Sequence, residues 1–158
     1  MRGPLVMKGY HNRPEATEEA FAGGWLHTGD VGRFDDEGFL YIVDRKKEMI
    51  VTGGFNVFPR EIEDVLSAHP AVAQVAVIGV PDERWGESVK AVVVLRDGFE
   101  PGEGLAGELQ ARVKEAKGSV QAPKSVDFAD SIPLSAVGKP DKKALRAKYW
   151  GDRERGVN

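Results

Sequence analysis

The sequence predicts an α+β fold: a small domain with a three-stranded sheet flanked by helices, preceded by a short β-rich segment. Two observations support this division. After residue 46, helical patterns alternate with runs of β-branched residues, whereas residues 1–46 contain mainly short strands and turns. The composition, 41% hydrophobic and 30% charged, is that of a folded globular protein. The 158 residues therefore divide into a β-rich segment at 1–46 and a domain at 47–158.

The first segment contains one short helix and one hairpin. "RPEATEEAF" predicts one or two helical turns that begin at Pro14. "GGWLHTGDVGRFDDEGFLYIVDR" predicts a β-hairpin whose turn lies at Asp35–Gly38. Because this segment has too few apolar residues for a core of its own, we expect it to be the edge of something larger.

The second segment contains three helices and three main strands. "PREIEDVLSAHP" predicts a helix with Pro59 at its start and Pro70 beyond its end. "AVAQVAVIGV" and "ESVKAVVVLR" predict two core strands joined by a "PDERWG" loop. "GEGLAGELQARVKEAK" predicts the next helix, "PKSVDFAD" the third strand and "DKKALRAKYW" the last helix. The Gly-Gly pair in "VTGGFN" predicts a turn.

Composition also excludes several classes of function. The net charge of −3 gives no general attraction to nucleic acid, so any anion site is local. Cysteine is absent, and none of the three histidines lies near a carboxylate at the spacing of metal ligands; we expect no protein-bound metal. No apolar run is long enough to span a bilayer and no signal peptide is recognisable, so we expect a cytoplasmic protein.

One lysine, Lys139, lies between a glycine and a proline just before the last helix. It is not part of a nucleotide-binding P-loop, because Pro133 and Pro140 occupy positions where that motif needs glycine and Ser/Thr. From this segment alone it is either an exposed loop residue or a phosphate ligand. Lys142 and Lys143 follow in the first helical turn, where positive charge opposes the helix dipole.

Four other features allow both a structural and a functional interpretation. Asp30, between turn-forming residues, is either an Asx turn or a ribose ligand. Arg45 should pair back towards it across the hairpin, and the two then form either a structural ion pair or two sides of a ligand site. Gly53 and Gly54 form either a plain turn or a loop that a thin ligand can approach closely. Trp85, on a polar loop, is either a packing residue or a platform for a base.

Taken together, the order and spacing of these segments are specific. "GGWLHTGDVGRF", "YIVDRKKEMIVTGGFNVFPREIEDVL", "GVPDERWGE" and "PLSAVGKPDKKALR" closely resemble the C-terminal part of adenylate-forming acyl-CoA synthetases. The resemblance covers residues 2 to about 148. It implies activation of a carboxylic acid with ATP to an acyl-adenylate and pyrophosphate, followed by transfer of the acyl group to a thiol.

The resemblance also implies roles for individual residues. Asp30 and Arg45 would bind ATP or AMP through the ribose hydroxyls, and Lys47 would be the hinge of a mobile C-terminal domain. Lys139 would be the catalytic lysine that reaches ATP and the carboxylate. The CoA-binding set, on this resemblance, comprises Gly53, Gly54, Trp85 and Lys124. Mg²⁺ is expected with ATP, although no residue identifiable here would bind it.

The resemblance also predicts a partner. No match to the family's phosphate loop, adenine site or acyl pocket occurs here, so residues 1–46 look like the end of a missing N-terminal adenylation domain. We expect the chain alone to be inactive. Two alternatives remain: the same scaffold loading a carrier-protein thiol, and a non-catalytic module that binds a nucleotide or a partner.

Overall fold

The structure is a computed structural model that describes residues 1–151, 153 and 155. The chain forms two compact units, Met1–Arg45 and Lys46–Asn158.

The first unit contains a helix and a hairpin. Helix α1 spans Pro14–Ala20 and begins, as predicted, at its proline. The antiparallel strands β1 (Asp30–Phe34) and β2 (Leu40–Arg45) are joined by the predicted turn. Asp35 closes this turn by accepting hydrogen bonds from the amides of Phe39 and Glu37, and the bond from Phe39 contributes most to a lowered pKa of its carboxyl.

The first unit has no apolar core of its own. None of the buried hydrophobic residues in the described part of the chain lies before Ile50. The hairpin instead exposes five large apolar side chains: Phe34, Phe39, Leu40, Tyr41 and Ile42. The expectation that this segment cannot fold around its own core is therefore consistent with its burial.

The second unit is built on a five-stranded sheet. Its strands are β3 (Ile50–Thr52), β4 (Phe55–Val57), β5 (Val72–Asp82), β6 (Gly86–Leu95) and β7 (Ser125–Phe128). One edge of β6 pairs with β5 along its whole length. The other edge pairs with β3 at Gly86 and with β7, in parallel, from Lys90 to Val93.

The α+β class is confirmed, but the sheet has five strands where the sequence predicted three. The two additional strands, β3 and β4, have three residues each, too few to show a period-two pattern. Gly53 and Gly54 between them have φ angles of 56° and 82°. Positive φ at both residues of a two-residue loop is typical of a type I′ hairpin, so the predicted turn is the tip of a hairpin.

Three helices cover the two faces of this sheet, all at predicted positions. Helices α2 (Pro59–Ser67) and α3 (Glu103–Lys117) cover one face, and α4 (Lys142–Trp150) covers the other. Alternation along the strands separates the two cores: Val77 faces the first core, and its neighbours Ala76 and Ile78 face the second. Among the described residues, no helix has the length and apolar content needed to cross a membrane.

Candidate functional site

Lys139 closes a tight loop between the sheet and α4. The amide of Ser135 donates to the Lys139 carbonyl at 2.7 Å, and the Gly138 amide donates to the Ser135 carbonyl at 2.9 Å. Gly138 has a φ of 74°, which matches a three-residue hairpin loop with a left-handed third residue. Leu134 and Pro140 form a bridge at the base of the loop. Backbone hydrogen bonds therefore fix the position of Lys139.

The side chain of Lys139 remains available. The residue is exposed, and among the described residues its ammonium has neither a hydrogen bond nor an ion pair. Lys142, in contrast, pairs with Glu63 at 2.7 Å, and both side chains are largely buried. This pair explains why a lysine occurs at the unfavourable start of α4. Of these two lysines, Lys139 is the one that can reach an external anion.

Asp30 and Arg45 are brought together as the hairpin predicts. They are register partners at the ends of β1 and β2, and Arg45 Nε lies 2.8 Å from Asp30 Oδ1. Arg45 also donates to the Thr28 carbonyl, and Thr28 Oγ1 accepts from the Asp30 amide. The Asp30 side chain is 24% exposed and that of Arg45 58%. An exposed ion pair of this kind contributes little stability by itself and stays open to a polar ligand.

Gly53 and Trp85 also meet. The Gly53 amide donates to the Trp85 carbonyl at 2.9 Å, next to the pairing of Thr52 with Gly86. A Cβ atom on Gly53 would lie 2.5 Å from Cε3 of the Trp85 ring, whereas one on Gly54 would meet nothing within 4 Å. The ring therefore packs directly on the turn, and only glycine fits at position 53.

Trp85 is a packing residue that stays partly exposed. It packs on the Gly53 turn, and its amide donates to Asp82 Oδ1 at 2.9 Å. The residue nevertheless remains 44% exposed, and the Arg84 guanidinium lies 4.7 Å from its ring centroid. An exposed, positioned aromatic ring with a cation over it suits an anionic aromatic ligand such as a nucleotide.

Lys124 lies farther along the same edge of β6. Its amide donates to the Val89 carbonyl at 2.8 Å, and its ammonium reaches the Ser119 carbonyl at 3.2 Å. Val89 follows Trp85 by four positions, which corresponds to about 13 Å along an extended strand. Lys124 and Trp85 thus share one edge of the sheet without touching.

Lys47 lies in a single 3-10 turn, Lys46–Glu48, at the start of the second unit. The residue is exposed, but its carbonyl accepts a hydrogen bond from Arg155 at 2.6 Å. Arg155 also pairs with Glu87, a residue of β6 that is only 5% exposed. Neither Arg155 nor Glu87 was predicted from the sequence to have such a role. A glutamate within a strand of mostly apolar residues was the one signal that a buried cation was needed.

Glu48, the neighbour of Lys47, has a second set of partners. Burial opposes ionisation of its carboxyl, but the hydrogen bond and charge of Arg146, together with Lys142 and Lys47, outweigh burial and lower its pKa. The described residues contain no group of three or more His, Asp or Glu side chains that could hold a metal ion.

Comparison with known proteins identifies the family. The chain is 61% identical over 159 residues to the medium/long-chain-fatty-acid–CoA ligase FadD8 of Mycobacterium tuberculosis, covering 98% of this chain and 28% of that protein. It is 49% identical over 151 residues to a long-chain-fatty-acid–CoA ligase of Escherichia coli O157:H7, covering 96% of this chain and 26% of that protein. The chain thus spans little more than a quarter of the length of these relatives.

The chain also resembles a solved structure. The ATP-bound RpMatB–BxBclM chimera matches 97% of this chain and 30% of its own chain, with a TM-score of 0.85 and 44% identity. The family model for the AMP-binding enzyme C-terminal domain matches residues 61–139 and ends at Lys139. This chain belongs to the AMP-binding enzyme C-terminal domain family.

Proposed function

We propose that this chain is the C-terminal part of an AMP-forming acyl-CoA ligase that acts on a medium- or long-chain fatty acid or a related carboxylic acid. Lys139 carries the proposal. It is an exposed lysine whose ammonium has no partner among the described residues, on a loop held by its own backbone hydrogen bonds. A cation carried on such a fixed backbone segment can stabilise negative charge that develops in a transition state.

In the first half-reaction, a carboxylate oxygen of the acid attacks the α-phosphorus of ATP and pyrophosphate leaves. The Lys139 ammonium offsets the charge that builds on the phosphoryl oxygens during this attack. Asp30 accepts hydrogen bonds from the ribose hydroxyls, and Arg45 holds its carboxylate in place at 2.8 Å. Any Mg²⁺ that this step needs would be held by ATP, since the described residues offer no group of metal ligands.

In the second half-reaction, the thiol of CoA attacks the acyl carbon and AMP leaves. The Gly53–Gly54 turn leaves room beside its backbone for the narrow pantetheine chain, because neither residue carries a side chain. Trp85 offers its ring to the adenine of CoA, and Lys124 offers a positive charge to the CoA phosphates. Lys47 is the hinge about which the C-terminal domain rotates between the two half-reactions.

A large N-terminal adenylation domain is the partner that this proposal requires. The relatives named above are more than three times as long as the part matched here. The exposed apolar side chains of the β1–β2 hairpin, among them Phe34 and Phe39, are consistent with a surface that such a domain covers. ATP and CoA as co-substrates favour a cytoplasmic location.

The test separates the two half-reactions in the ligase that joins this chain to its adenylation domain. Lys139→Ala should lower the rate of fatty-acid-dependent adenylate formation, measured as pyrophosphate release, roughly 100-fold. This is the scale of losing one hydrogen-bond donor to the transition state. Thioester formation from supplied acyl-adenylate should remain near the wild-type rate. Lys143→Ala is the matched control, because Lys143 is also exposed and lies only four residues away.

Equal losses in both half-reactions would contradict the role given to Lys139. The chain alone should release no pyrophosphate. Replacing CoA by a phosphopantetheinylated carrier protein tests the alternative acceptor: a faster reaction with the carrier would favour that second function.

A further inference from the structure

Glu87 is a buried carboxylate near the start of β6. The side chain is 6% exposed, and the opposite strand leaves space for it at Gly79, where a Cβ atom would lie 2.9 Å from Glu87 Oε2. A carboxylate in such a place needs a cation and further hydrogen bonds to offset the loss of hydration. The groups that bind the Glu87 carboxylate therefore indicate its structural role.

Arg155 supplies the cation. Its Nε and Nη2 atoms donate to the two oxygens of the Glu87 carboxylate, at 2.5 and 3.1 Å. The same guanidinium donates to two backbone carbonyls, Lys47 and Met49, both at 2.6 Å. Glu87 Oε2 in turn accepts from the Val51 amide at 2.9 Å. We refer to Arg155 and Glu87 as the clamp.

The clamp holds the chain immediately after Lys47. It binds three backbone groups within residues 47–51, while the Glu48 side chain between them reaches Arg146 of α4 at 2.5 Å. The peptide plane that joins Lys47 to Glu48 is the first one fixed in this way. Rotations about the backbone bonds that precede this plane are not restricted by the clamp.

The held segment continues directly into β3 and then into the Gly53–Gly54 turn. Met49 precedes β3 by one residue, and Val51 lies at its centre. β3 and β6 share a single register pair, Thr52 with Gly86, and the clamp adds the hydrogen bond from the Val51 amide to Glu87.

We propose that Arg155 is a positioning residue: through Glu87 it confines the hinge to the bonds before the Lys47 carbonyl and holds the β3–β4 turn in register for the thioester half-reaction. This inference rests on the proposed function. Lys139 is attached elsewhere, through β7 and α4, so the clamp should matter less for adenylate formation.

Arg155→Lys in the intact ligase is the direct test. Lysine keeps the positive charge but lacks the planar fork that reaches a carboxylate and two carbonyls together. Thioester formation from supplied acyl-adenylate should fall roughly 10-fold, with a raised KM for CoA, because small displacements of positioning groups have effects of this size. Adenylate formation should stay within about 2-fold of wild type.

Three further variants separate positioning from general destabilisation. Arg153→Lys is the matched control, since Arg153 belongs to the same C-terminal segment but is exposed. Val113→Ala makes a cavity in the core under α3 and should lower stability without changing the ratio of the two half-reactions. Glu87→Gln keeps the side-chain shape, removes the charge, and should act in the same direction as Arg155→Lys.

Hydrogen exchange gives a readout that does not depend on activity. The Val51 amide should exchange roughly 10-fold faster in Arg155→Lys and in Glu87→Gln than in wild type. Unchanged exchange, or equal losses in both half-reactions, would overturn the inference. A wild-type enzyme that makes no thioester with CoA would instead contradict the proposed function, and the exchange result would still decide whether the clamp exists.

Discussion

Gly53→Ala tests the contact between the β3–β4 turn and Trp85. The substitution adds one methyl group at a residue with a φ of 56°, in a position 2.5 Å from Trp85 Cε3 and 3.0 Å from Cζ3. Gly54→Ala is the matched control. Its φ of 82° imposes a comparable backbone strain, but its Cβ atom would meet no other atom within 4 Å.

The two substitutions should therefore differ by the cost of displacing the ring. Left-handed backbone at a residue with a Cβ atom costs about 1–2 kcal/mol, which both variants should show. Inserting a methyl group into a packed contact adds about 1–2 kcal/mol, which only Gly53→Ala should show. We expect a loss of unfolding free energy of about 2–4 kcal/mol for Gly53→Ala and about 1–2 kcal/mol for Gly54→Ala.

Urea unfolding followed by circular dichroism measures these losses, and a double-mutant cycle assigns them. In a Trp85→Ala background the ring is gone, so Gly53→Ala should cost no more than Gly54→Ala. The coupling between positions 53 and 85 should then be about 1–2 kcal/mol. A coupling below about 0.5 kcal/mol would refute the packing of Trp85 on Gly53, because effects of that size are ordinary for independent sites.

Two further predictions concern ionisation. Burial opposes ionisation of the Glu48 carboxyl, but Arg146, Lys142 and Lys47 outweigh burial and lower its pKa below 4.5. The contribution of this carboxylate to stability is therefore complete above pH 4.5 and is lost as the pH falls through the lowered pKa. In Glu48→Gln, the urea midpoint of unfolding should fall less steeply as the pH is lowered than it does in the wild type. Burial and a hydrogen bond to Asp127 raise the pKa of Tyr149 to about 12. Ultraviolet titration should show one tyrosine ionising near that value, and Tyr149→Phe should remove it and cost about 1–2 kcal/mol.

Local patterns predicted most of the fold. Pro59 and the apolar spacing after it define α2, and the turn at Asp35–Gly38 defines the first hairpin. The pairing of Asp30 with Arg45 also followed from the sequence, because strand pairing across a hairpin places the two ends side by side. These features depend on residues close together in the chain.

The features that the sequence did not predict join distant residues. Arg155 and Glu87 are 68 positions apart, and the short polar segment around Arg155 has no pattern that indicates a buried cation. The contact of Gly53 with Trp85 depends on how β3 meets β6, and β3 itself was too short to predict. The lysines at the start of α4 were an unfavourable placement in the sequence, and the partner that accounts for Lys142, Glu63, lies in another helix.

The Gly53–Gly54 turn and the Lys139 loop, to which the proposed function assigns the two half-reactions, belong to one packed unit. Residues next to the Gly53–Gly54 turn, Ile50 and Val57, are buried in the core on the α2–α3 face of the sheet. Residues on either side of the Lys139 loop, Ile132 and Leu145, are buried in the core on the α4 face.

Strands β5 and β6 contribute to both cores, so moving one turn relative to the other would require breaking close packing. If the turns serve successive half-reactions, the whole unit must therefore move between them. The pivot must then lie outside the packed unit, which the clamp extends to the carbonyl of Lys47. Under the proposed function, we therefore expect the rotation to occur at the bonds just before that carbonyl.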